Sequence, residues 1–248
     1  MNSRCRRFSA SIPIASIGLC LLVTIERAEA QPVPDPVHAT LSIASDYLLH
    51  GLAQTDTDPS VRFGIDYEHA SGFFSGGSIA NVSYQAESQF AKPRDSQVLL
   101  YGGYLWRRGP WMSNLSIARY LYPGIARSYD YSQFAVTASY KDRYFLTAAK
   151  ANKYLGVFDD AMSFGAGVSI PWIWDLDFEV NAGRFDPAST FLSSYTYWDI
   201  GLSRPVGRFA FDLRFHDNSY GRSTLLGNDA ANRWVFSMTY VLLPRDRS

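Results

Sequence analysis

Near the end of the chain, the stretch "RFHDNSYG", Arg214 to Gly221, sets a histidine and a serine three residues apart beside an arginine and an aspartate. A serine becomes a nucleophile when a base lies in hydrogen-bond reach and is itself held in orientation. His216 and Ser219 have the residue types for hydrolysis. Their spacing, however, sends them to opposite faces of an extended strand, which argues against a dyad. No catalytic residue is assigned, and an enzyme is not the expected class.

The charged residues fall into a different pattern. In "SVRFGIDYEH", Ser60 to His69, Val61, Phe63, Ile65 and Tyr67 share one parity, while Arg62, Gly64, Asp66 and Glu68 share the other. Alternate side chains of a strand point to opposite faces, so one face is oily and one is charged. In "LDFEVNAG", Leu176, Phe178, Val180 and Ala182 oppose Asp177, Glu179, Asn181 and Gly183; Phe209, Phe211, Leu213 and Phe215 oppose Ala210, Asp212, Arg214 and His216.

Parity thus selects Asp46, His50, Arg62, Asp66, Glu68, Asp177, Glu179, Asp199, Asp212, Arg214 and His216 as one polar set. Inside a closed barrel such groups set a transverse field that selects permeants by charge and size. The same groups can instead pair across a small barrel and fill it. The four histidines, His38, His50, His69 and His216, lie on separate segments without a cysteine ligand pattern, so neither a metal nor a cofactor is expected.

The elements that would position this set read as strands. Twelve segments of strand length are separated by turn signals: 38–50, 60–69, 73–84, 96–106, 111–120, 131–140, 144–152, 161–170, 176–185, 195–204, 209–218 and 233–243. Ten strands would also fit. The segments beginning at Ser96, Trp111 and Tyr144 alternate less clearly. Short links such as "ASG", "RRGP", "KDR", "PWIWD" and "PVG" alternate with long ones such as "GLAQTDTDP", "LYPGIARSYD" and "SYGRSTLLGNDAAN". An even-stranded outer-membrane barrel with both termini in the periplasm requires that order.

The rest of the composition is consistent with export. Arg4, Arg6 and Arg7 precede an apolar run from Ile12 to Ile25, and Ala28-Glu29-Ala30 offers a cleavage site after Ala30. Residues 1–30 are therefore expected to be a signal peptide and 31–37 a periplasmic leader. Residues 38–243 form the expected barrel, and 244–248 a short tail. Both cysteines, Cys5 and Cys20, leave with the signal, so no disulfide framework remains. Removing its four arginines and two glutamates leaves 19 basic and 21 acidic residues, a net charge of −2. That balance argues against a nucleic-acid partner. No later apolar run reaches the roughly 20 residues of a spanning helix, so membrane passage requires a closed barrel.

All six tryptophans, Trp106, Trp111, Trp172, Trp174, Trp198 and Trp234, lie at or near segment ends, the pattern of an aromatic girdle at two lipid interfaces. Against this, the last segment ends "MTYVLL" before "PRDRS" rather than on an aromatic residue. A soluble sandwich is the rival architecture, with the oily faces packed on a core.

The stretch Ser42 to Val82 resembles the TorF-like porin family, also catalogued as Gcw_chp, of proteobacterial proteins. The resemblance rests on Ser45-Asp46-Tyr47, Gly51, Gln54-Thr55-Asp56, Pro59, "DYEH" at Asp66 to His69, and Ser71-Gly72-Phe73. His50 stands where the family pattern has an arginine, which puts the charge of that site in question. The resemblance implies an outer-membrane β-barrel of porin type and brings no known substrate.

The expectation is therefore an all-β, antiparallel up-and-down barrel of about twelve strands in the outer membrane, contacting lipid. Twelve strands spaced about 4.8 Å apart and tilted near 40° close to a backbone radius of roughly 12 Å, a narrow charged lumen for ions or small solutes. The alternative is a non-conducting structural or adhesive barrel whose long loops bind a partner. The oligomeric state is left open.

Overall fold

The computed structural model describes residues 37–83, 94–123, 129–156, 159–188, 193–220 and 227–243. The expected signal peptide, its cleavage site, nearly all of the leader and the C-terminal tail lie outside the described residues.

Strand β1 (Val37–Ala44) rises to a hairpin of two very short strands, β2 (Leu48–Leu49) and β3 (Leu52–Ala53). Eleven longer strands follow: β4 (Ser60–Glu68), β5 (Phe73–Ser83), β6 (Arg94–Arg108), β7 (Trp111–Leu121), β8 (Tyr131–Tyr140) and β9 (Tyr144–Asn152), then β10 (Ala161–Pro171), β11 (Asp177–Pro187), β12 (Tyr195–Val206), β13 (Phe209–Asn218) and β14 (Arg233–Leu243). Apart from the hairpin, twelve strands pair antiparallel with their chain neighbours, and β1 closes the ring against β14. The closed all-β barrel is the expected fold.

The first expected segment, 38–50, divides differently. Pairing of β1 with β4 ends at Ala44 opposite Ser60, and the chain then turns inward. Asp46 accepts a hydrogen bond from Thr55 Oγ at 2.6 Å, and the Gln54 amide donates to the Tyr47 carbonyl at 2.7 Å. These local bonds offer the backbone an alternative to continuing the ladder, as short polar side chains do. At the tip, Gly51 has φ of +76°, and a Cβ there would lie 2.7 Å from Tyr197 Cβ. Only glycine fits that turn without displacing the barrel wall.

Closing the sheet fixes which face each parity occupies. Val61, Phe63, Ile65 and Tyr67 point outward and are 40–49% exposed, whereas Glu68 is buried. The same outer belt continues through Leu115 and Ile117 on β7, Leu146 on β9, and Met162 and Phe164 on β10. On β7 the inward row is Met112, Asn114, Ser116, Ala118 and Tyr120, all buried. Apolar groups on both parities explain why that strand reads poorly from hydropathy alternation.

The ends of the barrel differ. Residues 69–72, 109–110, 141–143, 172–176 and 207–208 make short turns at the end that also holds the first and last described residues. Long connections occupy the other end, beginning with 45–59. Trp106, Trp111, Trp172 and Trp174 lie at the short-turn end and Trp198 and Trp234 toward the long-loop end, all between 41% and 73% exposed.

Candidate functional site

Inward parity brings charge from separate strands into one space. Pairing of β11 with β12 sets Asn181 opposite Asp199, and pairing of β12 with β13 sets Asp199 opposite His216 and Gly201 opposite Arg214. The Arg214 guanidinium is fully buried. Its Nη1 donates to Asp199 Oδ1 at 2.7 Å, and Nη2 donates to Asp212 Oδ2 at 2.8 Å and to Glu179. A planar guanidinium with five donors is suited to this convergence of carboxylates. Asn181 Nδ2 adds a bond to Asp199 at 2.8 Å, and His216 Nδ1 lies 4.0 Å from Asp199 Oδ2.

A second group links the hairpin to the wall. Arg233 on β14 donates to Asp46, and Arg62 on β4 lies with its guanidinium 4.4 Å from the Tyr47 ring centre. Tyr47 Oη donates to Gln97 at 2.9 Å, and Gln97 Nε2 donates to Tyr122 at 2.8 Å. Asn218 Nδ2 donates to the Gly51 carbonyl at 3.0 Å, holding the hairpin tip to β13. A cavity of about 90 Å³ remains beneath the hairpin, lined by residues including Asp46, Ser60, Arg62, Asp212, His216 and Ser237.

Toward the short turns, Arg107 Nη1 lies 2.8 Å from Glu68 Oε1, and Tyr101 donates to Asp66. Asp177 begins β11 at this end, half-buried. The polar set selected by parity therefore lies on the inner side of the barrel, in three groups. Asp46 and His50 are there because the hairpin folds inward, not because they belong to a strand.

Toward the long-loop end, aromatic rings on the inner side form a contiguous cluster. His50 stacks on Phe185 with centroids 4.5 Å apart, Phe185 meets Tyr154 at 4.9 Å, Tyr154 meets Tyr131 at 5.0 Å, and Tyr131 stacks on Tyr120 at 4.4 Å. Neither ring nitrogen of His50 has a hydrogen-bond partner. Burial lowers the His50 pKa from 6.5 to about 4, so the ring is neutral at pH 7. An arginine here would place a charge in an apolar stack, whereas the neutral imidazole tolerates it.

Several of these residues were not among the sequence candidates: Tyr47, Gln97, Arg107, Asn181, Arg233 and the aromatic mouth. Tyr120, Tyr131, Phe185, Tyr195 and Tyr197 share the inward parity, and that break in the polar alternation is the one signal that marked them. As the spacing implies, Ser219 and His216 have separate surroundings. Ser219 Oγ accepts from the Thr196 amide at 2.9 Å, while His216 is buried on the inner wall. Among the described residues no group of His, Cys, Asp and Glu is arranged to hold a metal ion.

Comparison with solved structures places this geometry among porin barrels. The KdgM porin aligns with a TM-score of 0.51 at 7% identity, over 82% of this chain and 98% of that one. The KdgM porin in complex with disordered oligogalacturonate gives 0.52 at 8% identity, over the same shares of the two chains. The NanC porin, from a rhombohedral crystal form, gives 0.52 at 8% identity, over 84% of this chain and all of that one. At these identities the likeness is one of fold. No curated protein matches the sequence. The family model described as "Bacterial protein of unknown function (Gcw_chp)" matches residues 28–243, which takes in every strand of the barrel. The chain belongs to the Gcw_chp family.

Proposed function

We propose that the protein is an outer-membrane channel of porin type, passing ions or small solutes through a narrow charged lumen. One observation carries the reading: a closed sheet with an outward belt of exposed apolar side chains and with Glu68, Glu179, Asp199 and Arg214 buried on its inner side. A soluble barrel would place its oily face inside and its charge in water. The two levels of outward tryptophan and the fold likeness to the KdgM and NanC porins support the same reading, as does the TorF-like resemblance near the N-terminus. In this reading the parity-selected charges line the path, and segment 45–59 is its constriction. Segment 45–59 must shift, or leave room at its edge, for solutes to pass. Liposomes containing the purified protein test the proposal by swelling in isotonic solutes of graded size. A monosaccharide is expected to enter faster than a trisaccharide; swelling no faster than in empty liposomes would contradict it.

The aromatic contacts at the long-loop end favour a second reading, a non-conducting barrel that presents its outer loops to a partner. Deleting residues from 219–232 separates the two: loss of binding to intact cells with unchanged permeability would support this second role.

A further inference from the structure

We infer that the lumen favours cations over anions, with the wall made by β11, β12 and β13 as its selecting element. This rests on the channel reading above and adds the class of permeant. Elsewhere on the inner side, among the described residues, each ion pair joins one carboxylate to one arginine. Arg233 meets Asp46 and Arg107 meets Glu68, whereas Arg62 lies against the Tyr47 ring, Asp66 accepts from Tyr101, and Asp177 lies half-buried at the start of β11.

The β11–β13 wall is different. Among the described residues, Glu179, Asp199 and Asp212 share Arg214 as their one guanidinium, three carboxyl groups to one cation. A carboxylate withdrawn from water without a counter-charge is costly, so such a wall draws positive charge from solution. A low-dielectric enclosure focuses that attraction along the path and raises the local concentration of counter-ions.

A second observation on the same wall concerns the amide that donates to Asp199. Asn181 is buried, and its Oδ1 has no hydrogen-bond donor. That oxygen lies over Gly167 on β10, where a Cβ would be 2.1 Å away. The wall thus holds a neutral acceptor with no donor in addition to its three carboxyl groups, and both call for a cation or its hydration water. Asp212 also borders the cavity beneath the hairpin, with Ser237 opposite it on β14 and Arg62 and Asp46 on the same lining, so one carboxyl of the wall reaches that cavity.

The test is the reversal potential of the purified protein in a planar lipid bilayer under a KCl gradient. The expected sign is that of K⁺ preference, with K⁺ at least about threefold more permeant than Cl⁻. Asp212→Asn is expected to lower that ratio about twofold. Ser237→Lys, which places a positive group opposite Asp212 across the β13–β14 pairing, is expected to shift it the same way. Each variant is first checked for the heat-dependent gel mobility of a folded barrel. A conducting protein with a Cl⁻-selective or unselective reversal potential would overturn the inference and leave the channel intact. A folded protein that never conducts would overturn the channel reading and the inference with it.

Discussion

Arg214 on β13 and Asp199 on β12 meet inside the barrel with Nη1 2.7 Å from Oδ1, and neither side chain is more than 1% exposed. Glu179 and Asp212 complete the arginine's surroundings, so the wall's charges are mutually dependent. Removing one partner of a buried ion pair leaves the others uncompensated, at a cost of about 3–5 kcal/mol. Arg214→Met is therefore expected to lower the unfolding free energy by that amount, seen as a lower urea midpoint in tryptophan fluorescence. Adding Glu179→Gln and Asp199→Asn to the same chain should recover at least half of the loss. Equal stability of Arg214→Met and the parent would contradict the pairing.

The hairpin latch makes a separate prediction. Asp46 receives Arg233 from β14 and Thr55 from within its own segment. Asp46→Ala removes both bonds and leaves Arg233 short of its carboxylate. Docking of segment 45–59 should weaken by about 2–3 kcal/mol, the range for a hydrogen bond to a charged group with its partner left behind. Faster thermolysin cleavage within 45–59, with the barrel still folded, is the expected result.

Acid should loosen the same segment through His50. Its pKa falls from 6.5 to about 4 on burial, so the unfolded or undocked segment binds more protons between those values. The contribution of the neutral ring is complete above pH 6.5 and is lost as the pH falls through 4. Full protonation corresponds to about 3 kcal/mol against docking. Protease access to the segment is expected to rise between pH 6.5 and 4 in the parent. His50→Phe keeps the stack on Phe185 without a titrating group and should flatten that rise; an unchanged profile would place the pH response elsewhere.

Much of the fold was legible because a strand alternates at a period of two and a barrel alternates its loop lengths. Val61 to Tyr67 and Phe209 to Phe215 display the first, and the links "RRGP" and "PVG" the second. The hairpin was not legible from parity. Parity alone continues the strand through Asp46 and His50, and the bonds that turn the chain, Thr55 to Asp46 and Asn218 to Gly51, join residues 9 and 167 positions apart. The charged set was legible as a face, but its partition was not. Which carboxylates share Arg214 depends on the β11–β12 and β12–β13 registers, which one chain's hydropathy does not encode. The aromatic mouth was hidden for a simpler reason: inward tyrosines look like outward ones when both faces carry rings.

The oily exterior can be tested apart from any transport. Leu115 lies mid-strand on β7, 37% exposed, in the outward belt with Ile117. Leu115→Arg in a bilayer should cost about 2–4 kcal/mol, as a charge on the lipid face near the midplane does. On a surface facing water the same change would stay within about 0.5 kcal/mol. Folding equilibria in liposomes decide between the two.

Conductance across a planar lipid bilayer addresses the channel directly. The protein is purified from membranes, its folded state is established by gel mobility that shifts on boiling, and current is recorded at fixed voltage. Discrete steps whose size rises with salt concentration are the expected result. A folded, heat-modifiable protein that inserts and stays silent at every salt concentration would contradict it.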